Sequence, residues 1–317
     1  LGLRIILLRT LLHTKAANAL MSVSRFGINR VLEFLGFTNF ARFAKERTYA
    51  ESRVTLVRIL RDWETQYGDK NWFPSALQAN LDDLAAVVEL DETDKMLLGF
   101  SVLLHAEPLL EHCTDLMGSE LSGVSVHIPL AHILNVKTAK IESALSQEGK
   151  LHSSGLLTID LRGRSDLKQL LDLLTPTLHS RMTVRQNDIR NVVAGFVKPA
   201  STGALAAENY EYVSGFYKLV CDYLRAAFST GKKGANILIH GAPGTGKSQF
   251  ARAVAKELEV DLMEISPTNL AGDAITPMRR LRSYGIAQAF YRSKGYTLLF
   301  DEIEEVLAAA GCSEIMG

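Results

Sequence analysis

Eight consecutive residues late in the sequence match a pattern that binds phosphate. Residues 241–248 read Gly-Ala-Pro-Gly-Thr-Gly-Lys-Ser, which fits G-x-x-x-x-G-K-[ST] at every fixed position. Glycines allow such a loop to wrap closely around a phosphate with its N–H groups pointing inward. By position, Lys247 would reach the β- and γ-phosphate oxygens and the Ser248 hydroxyl would coordinate Mg²⁺. The candidate nucleotide-binding residues are Gly241, Pro243, Gly244, Thr245, Gly246, Lys247 and Ser248.

A second motif follows some fifty residues later. The apolar run of residues 296–300 ends in Asp301 and Glu302. Such a run predicts a buried strand, and the two carboxylates then emerge at its C-terminal end, where open α/β sheets bind ligands. Asp301 would hold the metal, and Glu302 would act as the general base on the attacking water.

The surrounding pattern predicts the elements that position these groups. Residues 236–240 form an apolar run typical of a buried parallel strand, and residues 249–258 repeat apolar side chains with the period of a helix. A strand at 260–265 and a helix at 278–291 then precede the second motif. This alternation predicts an α/β fold with a parallel sheet.

Residues 231–306 resemble the AAA+ family of P-loop ATPases. The resemblance is carried by the loop at 241–248, by Ala-Lys-Glu-Leu at 255–258 and by Leu-Leu-Phe-Asp-Glu-Ile-Glu at 298–304. It implies an enzyme that binds ATP and Mg²⁺ and hydrolyses ATP, within a homo-oligomeric ring that remodels a protein or nucleic-acid client. By the same resemblance, Lys247 and Glu302 are catalytic, and Ser248 and Asp301 bind the metal.

Two features depart from that family. Members that thread polypeptides carry an aromatic-hydrophobic-Gly pore loop, whereas the comparable residues 269–273 read Asn-Leu-Ala-Gly-Asp. The sensor asparagine, the arginine finger and the helical lid should follow the second motif, and the sequence stops at Gly317 before them. Because it also opens on Leu1 rather than Met, we expect a fragment with a truncated core that hydrolyses ATP poorly by itself.

The remaining sequence predicts a mostly α-helical N-terminal region. We divide the chain into a helical region at 1–118, a winged-helix-like module at 119–165, a connector with a helix at 166–230, and the incomplete AAA+ core at 231–317. The module rests on an order of helix (128–134), turn, helix (139–148) and ribbon (156–161). In the connector that follows it, a short helix is predicted at 167–174. Its candidate recognition helix carries Lys140 beside Glu142 and Glu148, which is weak charge for gripping DNA phosphates.

Composition excludes several classes of protein. The 317 residues contain 35 Lys and Arg against 35 Asp and Glu, which argues against a surface built for nucleic acid or an anionic membrane. The apolar opening of the chain is interrupted by Arg4 and Arg9, so we expect no signal peptide, anchor or membrane partner. Three widely separated cysteines, at positions 113, 221 and 312, indicate neither a disulfide framework nor a metal knuckle and favour a cytoplasmic setting.

Two alternatives to a client-remodelling ATPase stay open. In the first, the wing at 119–161 docks on DNA and ATP controls assembly of a DNA-binding regulator. In the second, the chain is a nucleotide-binding scaffold that never turns over, although such a scaffold would not need Glu302.

Overall fold

The computed structural model describes residues 2–13, 26–36, 49–67, 72–118, 121–122, 125–160, 164–201, 210, 213–232, 234–292 and 295–309. The chain divides into two compact units, residues 1–192 and 193–317, and each is described by itself. The predicted boundaries after residues 118 and 165 fall inside the first unit, and the one after residue 230 falls inside the second. The four predicted segments therefore stay predictions.

The first unit is built mainly of helices. Its helices are Gly2–His13 (α1), Phe26–Phe34 (α2), Tyr49–Tyr67 (α3), Ser75–Val88 (α4), Glu92–Ala106 (α5), Pro108–Asp115 (α6), His127–Leu134 (α7), Thr138–Leu145 (α8), Lys150–Ser153 (α9), Leu167–Leu170 (α10) and Leu178–Met182 (α11). Its strands are Leu121–Ser122 (β1), Leu157–Ile159 (β2), Arg164–Ser165 (β3) and Leu171–Leu173 (β4). A 3₁₀ helix, Ile189–Val193, runs into the second unit.

Helix α5 lies at the centre of the first unit. Its residues Leu97, Leu98 and Phe100 are fully buried, as are Leu77 and Leu81 of α4. The helix begins with a capping box, in which the side chains at positions 91 and 94 each accept a hydrogen bond from the other's backbone N–H. The helix thus begins at the acidic run at 91–94, where acidic side chains lie at the positive end of the helix dipole.

The predicted order of helix, turn and helix is present in α7 and α8. Asn135 ends α7 in the left-handed conformation, at φ 54°. Strand β2 pairs antiparallel with β4, in the register Leu157↔Leu173 and Ile159↔Leu171. The boundary predicted after residue 165 therefore lies between two paired strands.

The helix predicted at 167–174 is wrong in its second half. Helix α10 ends at Leu170, and the chain continues as strand β4. The spacing of the leucines is compatible with either a helix or a strand. In the structure, Leu171 and Leu173 alternate with the half-buried Asp172, and their backbone pairs with β2. Pairing with a strand distant in sequence decides the outcome, and periodicity does not report such pairing.

Helix α1 is buried by its neighbours. The side chain of Arg9 donates to the Glu64 carboxylate at 2.8 Å and lies over the Trp72 ring at 4.3 Å.

In the part of the chain that the structure describes, no helix is both long and apolar enough to cross a membrane.

Two cysteines lie in the described residues, and both are buried as free thiols. Burial raises the pKa of Cys113 to about 12, so this thiol stays protonated at neutral pH. Cys312 lies outside the described residues.

The second unit combines a three-stranded sheet with four helices in its described residues. The elements are Val197–Pro199 (β5), Ser214–Thr230 (α12), Lys247–Glu257 (α13), Asp261–Ile265 (β6), Pro277–Phe290 (α14), Tyr296–Leu299 (β7) and Ile303–Ala309 (α15). Strands β6 and β7 are parallel and are joined by α14, which confirms the predicted crossover. Strand β5 is antiparallel to β6, so this sheet is mixed rather than purely parallel.

The predicted strand at 236–240 is absent. Residues 235–241 form no β-ladder, although Ile237 and Ile239 pack on the cluster around Phe250. Leu238, between them, is 67% exposed, which a central strand covered on both faces would not allow. The apolar run therefore packs one face on the helix behind the loop and leaves the other open.

Asn80 ties α4 to the end of the first unit. Its side chain is fully buried, and its amide donates to the carbonyls of Met182 (2.9 Å) and Val184 (2.8 Å). Its oxygen accepts from the Arg185 side chain (2.9 Å) and from the Gln186 backbone (3.0 Å). All four hydrogen-bonding positions of the amide are thereby used.

We predict that Asn80→Ala lowers the free energy of unfolding of the first unit by about 2–4 kcal/mol, because buried backbone groups lose their partners. Urea denaturation followed by circular dichroism measures the change. Gln78→Ala is the matched control, since the Gln78 side chain donates to Asp82 at the surface, and its loss should change stability by less than about 0.5 kcal/mol. Equal effects of the two substitutions would contradict this role for Asn80.

Candidate functional site

The phosphate-binding pattern forms a loop between residues 235–241 and α13. Gly244 and Gly246 have φ values of 79° and 86°, in the left-handed region that side chains disfavour. A Cβ at either position would meet no atom within 4 Å. Backbone conformation rather than space therefore requires glycine here.

The first turn of α13 faces this loop. Gly246 is the N-cap and supplies no side-chain hydrogen bond to the helix, so the helix start is not closed by a capping side chain. A helix N-terminus of this kind carries partial positive charge and binds anions. The loop and helix together therefore make a site suited to phosphate.

Aromatic side chains hold α13 in place. Phe250 is buried, and the rings of Tyr210 and Tyr217 meet it edge-on, with centroids at 5.3 and 5.5 Å. The Tyr217 hydroxyl donates to the Ala253 carbonyl at 3.2 Å. Burial is the largest cause that raises the pKa of Tyr217 to about 12, so the phenol stays neutral and keeps its proton for this bond.

Lys247 folds back across its own loop. Its ammonium donates to the carbonyls of Gly241 (2.9 Å) and Ala242 (3.0 Å). The Thr245 hydroxyl also donates to the Ala242 carbonyl, at 2.8 Å. The cation is thus held against its own loop by neutral acceptors, which phosphate oxygens can replace with stronger, charge-assisted bonds.

The loop and the second motif meet at one contact. The Ser248 hydroxyl donates to Asp301 Oδ2 at 2.5 Å, across 53 positions of sequence. Strand β7 ends at Leu299, so Asp301 emerges at the C-terminal end of the sheet, as the sequence predicts. A hydroxyl and a carboxylate are hard oxygen ligands of the kind that Mg²⁺ prefers.

This donor pair fits Mg²⁺ better than a transition metal. Among the described residues, no group of three His, Cys, Asp or Glu side chains is placed to hold a metal ion. Mg²⁺ is commonly bound through one or two protein oxygens, with phosphates and waters completing the shell. The pair of Ser248 and Asp301 meets that requirement.

Glu302 follows in a strained conformation. Its φ is 55°, which costs a non-glycine residue about 1–2 kcal/mol. Its N–H donates to Asp301 Oδ1 at 3.1 Å, so the two oxygens of that carboxylate have separate partners. The Glu302 residue is exposed, as a base that must meet a water molecule requires.

Sequence reasoning missed one residue of this site, Arg280. The residue is buried in α14, and its guanidinium donates to the Asp301 carbonyl and lies over the Phe300 ring at 4.7 Å. A signal was available, because Arg280 shares its helix face with the buried Ser283 and Ala287. A charged residue on a buried face implies a specific partner.

Comparison with known proteins supports the interpretation of this segment. The family described as "ATPase family associated with various cellular activities (AAA)" matches residues 237–314. This range includes the whole loop at 241–248, α13, both parallel strands and the Asp301–Glu302 pair.

Two curated archaeal proteins match over a shorter stretch. Each is named a putative 26S proteasome regulatory subunit homolog, one from Methanothermobacter thermautotrophicus and one from Methanothermobacter marburgensis. Each is 48% identical over 40 residues, which is 13% of this chain and 11% of the relative. No solved structure matches the chain. The match at residues 237–314, with the phosphate loop and the carboxylate pair it contains, shows that this segment, about a quarter of the chain, is similar to the AAA family of P-loop ATPases.

Proposed function

We propose that the second unit binds ATP with Mg²⁺ and hydrolyses the bond between its β- and γ-phosphates, releasing ADP and phosphate. The observation that carries this proposal is the 2.5 Å contact between Ser248 and Asp301, because it brings the phosphate loop and the end of β7 to one point. Neither motif alone would justify a hydrolytic site, since a phosphate loop can serve binding only.

The loop residues would hold the nucleotide. Backbone N–H groups of the loop and of the first turn of α13 would surround the phosphates, and Lys247 would exchange its two carbonyl partners for β- and γ-phosphate oxygens. The nucleotide-binding residues are Gly241, Pro243, Gly244, Thr245, Gly246, Lys247 and Ser248.

The carboxylates would divide the remaining work. Ser248 and Asp301 would hold Mg²⁺, which when bound supplies positive charge to the phosphate oxygens. Glu302 would orient a water molecule and accept its proton as that water attacks the γ-phosphate. Since Asp301 is already bound at both oxygens, Glu302 is the carboxylate of the pair better suited to act as the base.

At the level of the whole protein, we propose a cytoplasmic homo-oligomeric ring that remodels a protein client recruited by the N-terminal region. The match of residues 237–314 to the AAA family supports this proposal. The turn at 269–273 is closed by Asn269, whose oxygen accepts from the N–H groups of Ala271 and Asp273. Leu270, in this turn, is 73% exposed. Remodelling would therefore proceed without an aromatic side chain in this loop.

We further propose that the winged-helix-like segment contacts protein rather than DNA. Lys137, Lys140 and Glu142 are all exposed at α8, so its open face carries opposing charges. A DNA-reading helix needs a net positive face.

We predict that Glu302→Gln in the full-length protein keeps ATP affinity but lowers kcat about 10²- to 10⁴-fold, because the general base is lost. Lys247→Ala should weaken ATP binding about 10- to 100-fold through loss of charge-assisted hydrogen bonds. Phosphate release and binding of a fluorescent ATP analogue measure the two effects. Glu304→Gln and Lys256→Ala are the matched controls, and both should retain activity.

Unchanged hydrolysis in Glu302→Gln would show that this residue is not the base. Tight ATP retention without phosphate release by the wild-type protein would instead support the non-hydrolysing scaffold.

We predict that the full-length protein shows no duplex DNA binding that depends on the wing. The double substitution Lys137→Ala and Lys140→Ala should leave any residual DNA affinity equal to that of the wild type at both 50 and 200 mM salt. This residual affinity should also change little between the two salt concentrations, whereas a protein with several phosphate contacts would lose about 10³- to 10⁵-fold in affinity. Fluorescence anisotropy with a labelled duplex measures this. A clear loss of affinity in the double variant would favour the DNA-binding regulator.

A further inference from the structure

We propose that Arg280 is a positioning residue that fixes the Asp301–Glu302 turn and thereby the direction of the Glu302 carboxylate. The inference rests on the proposed function, because it assigns Arg280 a role in ATP hydrolysis through the base. It extends that function to a helix that carries none of the residues in the two motifs.

The guanidinium binds two successive carbonyls of this turn. Arg280 Nη2 donates to the Asp301 carbonyl, and Nη1 donates to the Glu302 carbonyl at 3.5 Å. Nη1 also lies 3.4 Å from the Glu305 carboxylate, in the first turn of α15. One planar group therefore binds the carbonyls of the two successive peptides that flank the Glu302 Cα, and it also contacts the start of the next helix.

The position of the guanidinium is closely determined. The Arg280 side chain is 1% exposed, and it lies over Phe300, whose ring also meets Tyr284 at 6.0 Å between centroids. Burying a guanidinium is costly unless fixed partners compensate for the lost water. Glu305, its ion-pair partner, is 55% exposed, and an ion pair to an exposed carboxylate contributes little stabilisation, so the two backbone carbonyls are its principal partners.

The backbone conformation of Glu302 explains why these hydrogen bonds from Arg280 would matter. Its left-handed backbone, at φ 55°, persists only if surrounding groups hold it, and strain of this kind concentrates at functional sites. The Asp301 side chain holds the N–H of Glu302 from one side, and Arg280 holds the flanking carbonyls from the other. Without Arg280 the peptide can rotate, and the carboxylate would no longer point in one direction.

The test compares Arg280→Met and Arg280→Lys with wild type in the full-length protein. Methionine keeps much of the apolar volume, and lysine keeps the charge but cannot bridge two carbonyls. We expect kcat to fall about 10- to 100-fold in both, as for a displaced catalytic group, while the Kd for a fluorescent ATP analogue changes less than about threefold. Ile286→Ala is the control for lost packing, because Ile286 is fully buried in the same helix and should leave kcat unchanged below its melting temperature.

Chemical rescue adds a readout that a purely structural role would not move. In Arg280→Ala, millimolar guanidinium ion should restore part of kcat, whereas the same concentration of urea should not. Guanidinium lowers overall stability, so a gain in turnover reports occupation of the vacated position.

The outcomes separate this inference from the proposed function. Equal turnover of wild type and Glu302→Gln would remove the proposed function and this inference with it. If Glu302→Gln is inactive but Arg280→Met and Arg280→Lys both keep the wild-type kcat, this inference alone is overturned. Loss of kcat in Ile286→Ala equal to that in Arg280→Met would also overturn it, because general packing would then explain both.

Discussion

The hydrogen bond between Ser248 and Asp301 joins two parts of the second unit that are separated by 53 positions of sequence. Ser248 is fixed by α13, which the aromatic cluster around Phe250 holds from behind. Asp301 is fixed by strand β7, which is paired along its length with β6. Only when both supports are correct do a hydroxyl and a carboxylate lie 2.5 Å apart. The rest of the second unit can be understood as the framework that maintains this one distance.

The positive potential of the phosphate site comes only partly from charged side chains. The phosphate site draws much of its positive character from backbone N–H groups and a helix terminus, which the neutral total charge of the chain does not register. The two cations close to the motifs are held by carbonyl oxygens, Lys247 by its own loop and Arg280 by the turn after Phe300. Neutral acceptors leave Lys247 able to exchange partners, whereas burial keeps Arg280 in one place.

The sequence predicted the parts of this site that depend on local pattern. The loop, α13, the parallel pair of β6 and β7, and the position of Asp301 all follow from motif spacing and periodicity. Residues 236–240 were expected in a strand but have no strand partner, and residues 171–173 were expected in a helix but pair with β2. Arg280 was not predicted as a site residue for a related reason, because its role depends on contacts with a turn that is distant in sequence. Local pattern therefore predicted the elements, while contacts distant in sequence decided the exceptions.

The most direct test of the Ser248–Asp301 site is the binding of Mn²⁺, which shares the octahedral oxygen preference of Mg²⁺. Electron paramagnetic resonance of the full-length protein with Mn²⁺ and a slowly hydrolysed ATP analogue would report the metal and its coupling to phosphorus. The account predicts one tightly bound Mn²⁺ per chain with ³¹P coupling, and at least about tenfold weaker binding in both Ser248→Ala and Asp301→Asn. Equal Mn²⁺ affinity in wild type and both variants would contradict it.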